Sequence, residues 1–419
     1  MTVQLHLDNI TRLATYFGNP QEQVPRYIHI AGINGKTSVA LILARLLHLS
    51  ALRVGTFVHP PLGSPRTSIL IDESPLEERH FQDLWKNVNR ADSIFGTNCS
   101  QYEKLFLTAL LAFRDHGCHL LVIESALGGT FDATNLLGRI EIPGGLLAAV
   151  ITTITRDHIK YLGEEIADIT KNILGIYRVG AFISIAANQP DTVLSVVNAN
   201  VESHLATTRQ SSKQNITAIE KEFIFTMPPE QQIYNIELAL RTYHQVRPAL
   251  NELYGDCCPI DLPMSIFVNL IIPQSARQFY FDGHRIVVDA AQNDASPILN
   301  WIAGLEGPTN FVMGFSEKNE EVIKEVLNRM HLKDTSVCSI VPFRPVIGYE
   351  WIHPLKSEHL GRLLSDVGIN RQVIEYSDLT TALKEIREEL IVVLGSQYIV
   401  HDFYQDFCRP KDATASDRI

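Results

Sequence analysis

The residues best suited to chemistry lie in one short stretch, Gly32-Ile33-Asn34-Gly35-Lys36-Thr37-Ser38. Glycines around a lysine, followed by two hydroxyl residues, suit a phosphate ester. The glycines let backbone N–H groups face an anion, a helix starting there adds partial positive charge, and Lys36 adds a full one. Thr37 or Ser38 then offers a hydroxyl to Mg²⁺. The complete G-x-x-x-x-G-K-[ST] spacing needs glycine at position 30, where the chain has Ile30, so only the shorter G-x-x-G-K-[ST] is present. Its context supports a phosphate loop: the apolar run Tyr27-Ile28-His29-Ile30 reads as a buried strand, and a helical pattern runs from Val39 to Leu49.

Other polar residues stand where apolar runs stop. His119–Ser125 contains Glu124, and Leu146–Ile154 leads into Thr155-Arg156-Asp157-His158. Unbroken apolar runs of this kind are parallel strands buried on both faces. Ligands in open α/β sheets sit beyond the carboxyl ends of the strands, where Lys36, Glu124, Asp157 and His158 all fall. Val54–Val58, a further strand, runs into His59-Pro60-Pro61-Leu62-Gly63-Ser64-Pro65, a Pro/Gly-rich loop just past a strand end that reads as a tight connection or as a rigid active-site loop carrying His59. A second glycine-led loop, Gly128–Asn135, carries Asp132 and Asn135. His29 lies inside its strand and reads as a packed residue. Cys257-Cys258 has no identifiable neighbouring base, which argues against a nucleophile there.

The elements that must position these residues alternate between strand and helix. Helical spacing covers 3–18, 77–94, 101–116, 164–178, 190–205 and 231–246, and an additional strand reads at Ala181–Ala186. A more variable strand region lies near 215–227, and the Pro-rich stretch 249–276 holds a helix and then a linker. From Arg285 the alternation restarts, with strands expected at 285–290, 309–315, 336–341, 372–376 and 391–395. The fold class is therefore α/β: a P-loop-type, mostly parallel sheet domain over 1–274 and a smaller Rossmann-like domain over 275–419. The 419 residues give ample material for two cores, and 45% hydrophobic with 20% charged content is ordinary for a globular protein. A net charge of −11 without a basic run argues against nucleic acid. The six cysteines form no C-x-x-C, which argues against structural zinc and against a disulfide framework. No apolar run is long enough to span a bilayer and no signal core follows the first residues. A cytoplasmic protein is expected, the mitochondrial matrix being the other option.

These motifs together resemble the dihydrofolate synthase and folylpolyglutamate synthase branch of the Mur-ligase superfamily, the fungal dihydrofolate synthases most of all. The resemblance runs through the Gly18-Asn19-Pro20 opening and His29-Ile30-Ala31-Gly32 with Asn34-Gly35-Lys36. It continues through Leu127-Gly128-Gly129 with Asp132-Ala133-Thr134-Asn135, Asp157-His158 with Leu162-Gly163, Asn235, Trp351-Ile352-His353 and Gly395-Ser396. It implies an ATP-dependent ligase that joins a dihydropteroate-like or other carboxylic acid to an amine such as L-glutamate through an acyl phosphate. Carried over, Gly32, Asn34, Gly35, Lys36, Thr37, Ser38, Asn235, Arg277, Asp289 and Asn293 hold ATP, with Asn235 at the adenine end. Thr37, Ser38, Glu124 and His158 hold Mg²⁺. Lys36, His158, Glu124 and His59 serve catalysis, and Asp132 and Asn135 meet the substrate. Partners are small molecules, and the resemblance implies a monomer.

Several positions depart from the family pattern. Ile173 stands where the family carries a carbamylated lysine, Gln292 replaces a histidine, Pro61 another, and Thr130 an arginine. Isoleucine cannot ligate a metal, and Lys171 lies about 200° away round the helix. A second reading therefore stands beside the ligase: a paralogue with the same scaffold, acting without ATP on a specialised metabolite through His59, His158 or Glu124, or only binding one.

Overall fold

The computed structural model describes residues 6–24, 26–139, 145–201, 206–207, 229–262, 277–290, 298–305, 307–317, 320–330, 336–345, 352–369 and 373–407. The expected strand near 215–227, together with Gln292, Asn293 and Trp351, lies outside them. The chain divides into two compact units: Met1–Pro60, Pro65–Phe225 and Pro229–Ile272 form the first, while Pro61–Ser64, Thr226–Pro228 and Pro273–Ile419 form the second.

Strands of the first unit are β1 (Tyr27–Ala31), β2 (Val54–Phe57), β3 (Ile69–Ile71), β4 (Ser74–Pro75), β5 (Leu120–Glu124), β6 (Leu146–Ile151), β7 (Phe182–Ile185) and β8 (Ala206–Thr207). They lie side by side in the order β4-β3-β2-β5-β1-β6-β7-β8, with β3 and β4 antiparallel and the others parallel. Helices α1 (Asp8–Tyr16), α2 (Lys36–His48), α3 (Glu78–Phe95), α4 (Gln101–Asp115), α5 (Ile159–Leu162), α6 (Ile166–Ile173), α7 (Asp191–Asn200) and α8 (Pro229–Tyr254) flank the sheet.

Alternate residues of each central strand feed different cores. Ile28, Ile30, Leu120 and Val122 pack with Ile42, Leu43 and Leu46 of α2 and Tyr243 and Val246 of α8. Tyr27, Ala31, Leu121 and Ile123 pack on the other face with Phe106 and Leu110 of α4 and Ile169 and Ile173 of α6. Strands covered on both faces need apolar side chains at every position, so their sequences read as unbroken runs. The register places Ile30 beside both Glu124 and Val150, which brings the carboxyl ends of β1, β5 and β6 into one row.

The second unit repeats the architecture with β9 (Arg277–Phe281), β10 (His284–Val288), β11 (Thr309–Met313), β12 (Ser336–Ile340), β13 (Val373–Glu375) and β14 (Leu390–Leu394), ordered β13-β12-β11-β14-β10-β9. Helices α9 (Ile298–Ala303), α10 (Glu320–Met330), α11 (Ser357–Asp366), α12 (Leu379–Glu385) and α13 (Gln397–Phe407) accompany them. Strand β9 was not expected. It pairs antiparallel with β10 through Asp282-Gly283, both at positive φ (50° and 86°), the signature of a tight hairpin turn. No described helix is long and apolar enough to cross a membrane.

Candidate functional site

The site begins where β1 stops. Ile33 and Asn34 both donate their backbone N–H to Thr153 O, at 3.0 and 3.1 Å, which turns the chain out of the sheet. Gly32 (φ 145°) lies so close to Thr152 that an added Cβ would meet its Oγ1 at 2.1 Å. Gly35 (φ 90°) caps α2, and an added Cβ there would lie 2.3 Å from Asn235 Oδ1. Both glycines are thus required by close approach as well as by φ. Helix α2 starts at Lys36, three residues before the apolar periodicity predicts. Its first turn is polar because it faces the loop.

Lys36, Thr37, Glu124 and His59 form one cluster. Thr37 Oγ1 donates to Glu124 Oε1 at 2.8 Å, and the His59 backbone N–H donates to Glu124 Oε2 at 3.1 Å. Lys36 Nζ folds back onto Gly32 O and Ile33 O, each at 3.2 Å. Burial holds the Lys36 ammonium below its ordinary range, against the attraction of Glu124, Asp132 and Asp157. Burial pushes Glu124 up to about 7, although Lys36, the Thr37 hydroxyl and the His59 N–H pull it down. A buried carboxylate joined to a helix-terminal hydroxyl is an oxygen donor set that suits a hard divalent cation. Ser38 is buried beside Thr37.

His59 is a ring in an aromatic nest, 4.5 Å from the Tyr102 centroid and stacked at 6.4 Å on Phe57. Burial and then Lys36 drive its imidazole down to about 3, so it is neutral at physiological pH. His158 follows Asp157, whose charge acts on Lys36. His158 is exposed, adopts a left-handed conformation (φ 53°) before α5, and donates its N–H to Asp157 Oδ1 at 2.7 Å.

Asp132 and Asn135, expected at the substrate, have their polar atoms engaged within the chain. Asp132 Oδ2 accepts from the N–H groups of Ala126 and Leu127, both at 2.9 Å, and Oδ1 accepts from Tyr102 Oη at 2.9 Å and Thr134 N at 3.0 Å. Asn135 donates to Thr130 O and Gly175 O and accepts from Arg178 Nη2 at 2.7 Å. Between them Thr134 Oγ1 meets His29 Nε2 at 2.8 Å. The two residues therefore hold the glycine-led loop in shape beside Glu124. Tyr102 and Arg178 do the same work and were missed, since their partners lie 30 and 43 residues away and no local pattern marks them.

The remaining expected residues lie on other elements. Asn235 lies against Gly35, on the phosphate loop itself. Asp289 follows β10 in the second unit, buried, with its N–H on Val393 O at 3.0 Å, and Arg277 opens β9. Ile173 is fully buried in the core below α6. Its neighbour Asn172 clamps the loop by accepting from Gly129 N at 3.1 Å and from Thr130 N and Oγ1, both at 3.0 Å.

A glycine-cradled lysine at a helix start, a buried carboxylate on the adjacent strand and a second, smaller α/β unit give the two-unit α/β fold seen in solved folylpolyglutamate synthases. Residues 278–406 match the family model for the dihydrofolate synthetase C-terminal domain. The dihydrofolate synthetase of Saccharomyces cerevisiae is 28% identical over 95% of this chain and 97% of its own. The dihydrofolate synthase/folylpolyglutamate synthase of Mycobacterium tuberculosis is 35% identical over 41% of this chain and 36% of its own. Among solved structures, an M. tuberculosis folylpolyglutamate synthase complexed with ADP and AMPPCP superposes with TM-score 0.74 at 23% identity, covering 97% of this chain and 96% of that one. The chain is thus similar along nearly its whole length to a dihydrofolate synthetase, and its second unit matches the model of that enzyme's C-terminal domain.

Proposed function

We propose that this protein is an ATP-dependent ligase joining a dihydropteroate-like carboxylic acid to the amine of L-glutamate through an acyl phosphate. The observation that carries it is the Lys36–Thr37–Glu124 cluster at the start of α2, in a chain that aligns with a dihydrofolate synthetase over nearly its whole length. In this reading residues 1–274 bind ATP and 275–419 form the second domain.

The γ-phosphoryl group moves from ATP to the acid, and the amine then attacks the acyl carbon and expels phosphate. Gly32 and Gly35 leave room for the phosphates, and Lys36 turns from Gly32 O and Ile33 O toward the charge that develops on the transferring group. Thr37, Ser38 and Glu124 would hold Mg²⁺, with His158 as a further donor; the ion supplies charge neutralisation during transfer. Asn235, pressed on Gly35, positions the loop and the nucleotide, and Asn34 lines the same turn. Neutral His59 fixes Glu124 through its backbone N–H and presents an uncharged ring to the acid. Asp132 and Asn135 shape the substrate-facing loop. The assignment of Arg277, Asp289 and Asn293 to the nucleotide rests on the family resemblance. Buried Ile173 leaves this chain with the Glu124 set as its metal site.

The cysteines at 99, 118, 257, 258 and 338 are free, which suits a reducing cytoplasm; a monomer is assigned on the family resemblance alone. The test is ADP release from MgATP with dihydropteroate and L-glutamate, in wild type and Lys36→Ala. ADP released with both substrates present, and lost in the variant, supports the ligase. Full activity of Lys36→Ala, or turnover of substrate without ATP, overturns it in favour of the ATP-independent paralogue.

A further inference from the structure

Cys257 and Cys258 take no part in the site at the sheet edge, and their surroundings give them a chemistry of their own. Their Sγ atoms lie 3.7 Å apart, just beyond the end of α8. Asn251 in the last turn of α8 grips both residues: Oδ1 accepts the Cys258 backbone N–H at 2.9 Å and the Cys257 thiol at 3.8 Å. Cys258 is buried against the α2–α8 core. Cys257 is only half-buried. One reachable thiol thus rests against one enclosed thiol, with both side chains already turned to the same side of the chain.

We propose that Cys257 and Cys258 form a peroxide-sensitive vicinal dithiol that closes reversibly into a disulfide. The Cys257 sulfur attacks hydrogen peroxide, the O–O bond breaks, an S–OH group forms, and the departing hydroxide leaves as water with the thiol proton. The Cys258 sulfur then displaces that hydroxyl: an S–S bond forms, the S–O bond breaks, and the Cys258 proton leaves in a second water. Two thiols are oxidised and one peroxide is reduced. A resolving sulfur already in contact intercepts the sulfenic acid before further oxidation. Adjacent Cα atoms are about 3.8 Å apart, below the roughly 4.4–6.8 Å of ordinary bridges, so closure twists the intervening peptide and leaves a bond that thiol reductants open readily.

The purified full chain is treated with stoichiometric hydrogen peroxide, denatured, alkylated with iodoacetamide and digested with trypsin. The peptide Thr242–Arg277 contains no other cysteine, so its mass reports on this pair alone. It is expected lighter by two hydrogens than the dithiol, without alkyl groups, and doubly alkylated again after dithiothreitol. A peptide that stays doubly alkylated, or carries sulfinic acid on Cys257 beside alkylated Cys258, overturns the proposal. In Cys258→Ser the intermediate has no resolving partner, so dimedone should label Cys257; a folded variant without that adduct also overturns it.

Discussion

Thr37 Oγ1 donates a 2.8 Å hydrogen bond to Glu124 Oε1, tying the first turn of α2 to the carboxyl end of β5 across 87 residues of sequence. Burial raises the Glu124 carboxyl to about 7 while Lys36 pulls it down, so any further cation beside it favours its charged form. Glu124→Gln keeps an oxygen for Thr37 and removes the charge. It should lower kcat by about 100-fold or more while leaving the thermal midpoint close to wild type, the scale seen when one transition-state electrostatic contact is lost. The check is initial-rate ADP release at saturating ATP across a Mg²⁺ titration. Wild-type magnesium dependence in the variant would remove Glu124 from the metal site.

Gly35 meets Asn235 at a distance that leaves no room for a methyl group. Gly35→Ala must open the loop or move α8, and it also forces alanine into a left-handed conformation that costs about 1 kcal/mol. MgATP affinity, measured calorimetrically, should fall at least tenfold. Asn235→Ala removes the obstructing oxygen, so the double variant should regain part of that loss. Equal affinities for the single and double variants would show that the steric contact is not the cause.

The central strands were legible because burial on both faces leaves a continuous apolar run, and Lys36, Thr37 and Glu124 were legible because they follow such runs. Element ends were less so. Helix α8 was expected to stop at Val246 but continues through Pro248 to Tyr254, because Val246 and Leu250 pack into the core shared with α2. Strand β9 was overlooked although its Asp282-Gly283 turn is a local signal. The roles of Asp132, Tyr102 and Arg178 were not legible at all: each depends on partners that only the folded chain brings near.

Ile173 offers a sharper test of how far the resemblance extends. The family's lysine position is here a side chain with no solvent exposure, packed among apolar residues. Ile173→Lys would bury an ammonium among apolar side chains, a change expected to destabilise by about 3 kcal/mol or more. Urea unfolding should show the loss, with no gain in ADP release. An active variant of wild-type stability would mean that this position can reach the metal.

His29 gives the protein a defined response to acid. Burial, with a smaller push from Arg178, lowers its imidazole from 6.5 to about 3. Between those values the unfolded chain holds a proton that the folded chain does not, so the contribution of His29 to stability falls as pH drops below about 6.5. The slope is about 1.4 kcal/mol per pH unit for one proton. His59 acts in the same direction, whereas Glu124, raised to about 7, binds its proton in the folded state first and stabilises as pH falls from about 7 to 4.5. Total stability in this window is therefore a partial cancellation, and the wild-type curve alone does not report His29. The difference between wild type and His29→Gln does, because glutamine can still meet Thr134 Oγ1 but does not titrate. Urea unfolding at pH 7.5, 6.5, 5.5 and 4.5 should show His29→Gln losing less stability than wild type at each step below 6.5. Parallel curves would mean that His29 is protonated in the folded protein or exchanges its Thr134 bond for another partner.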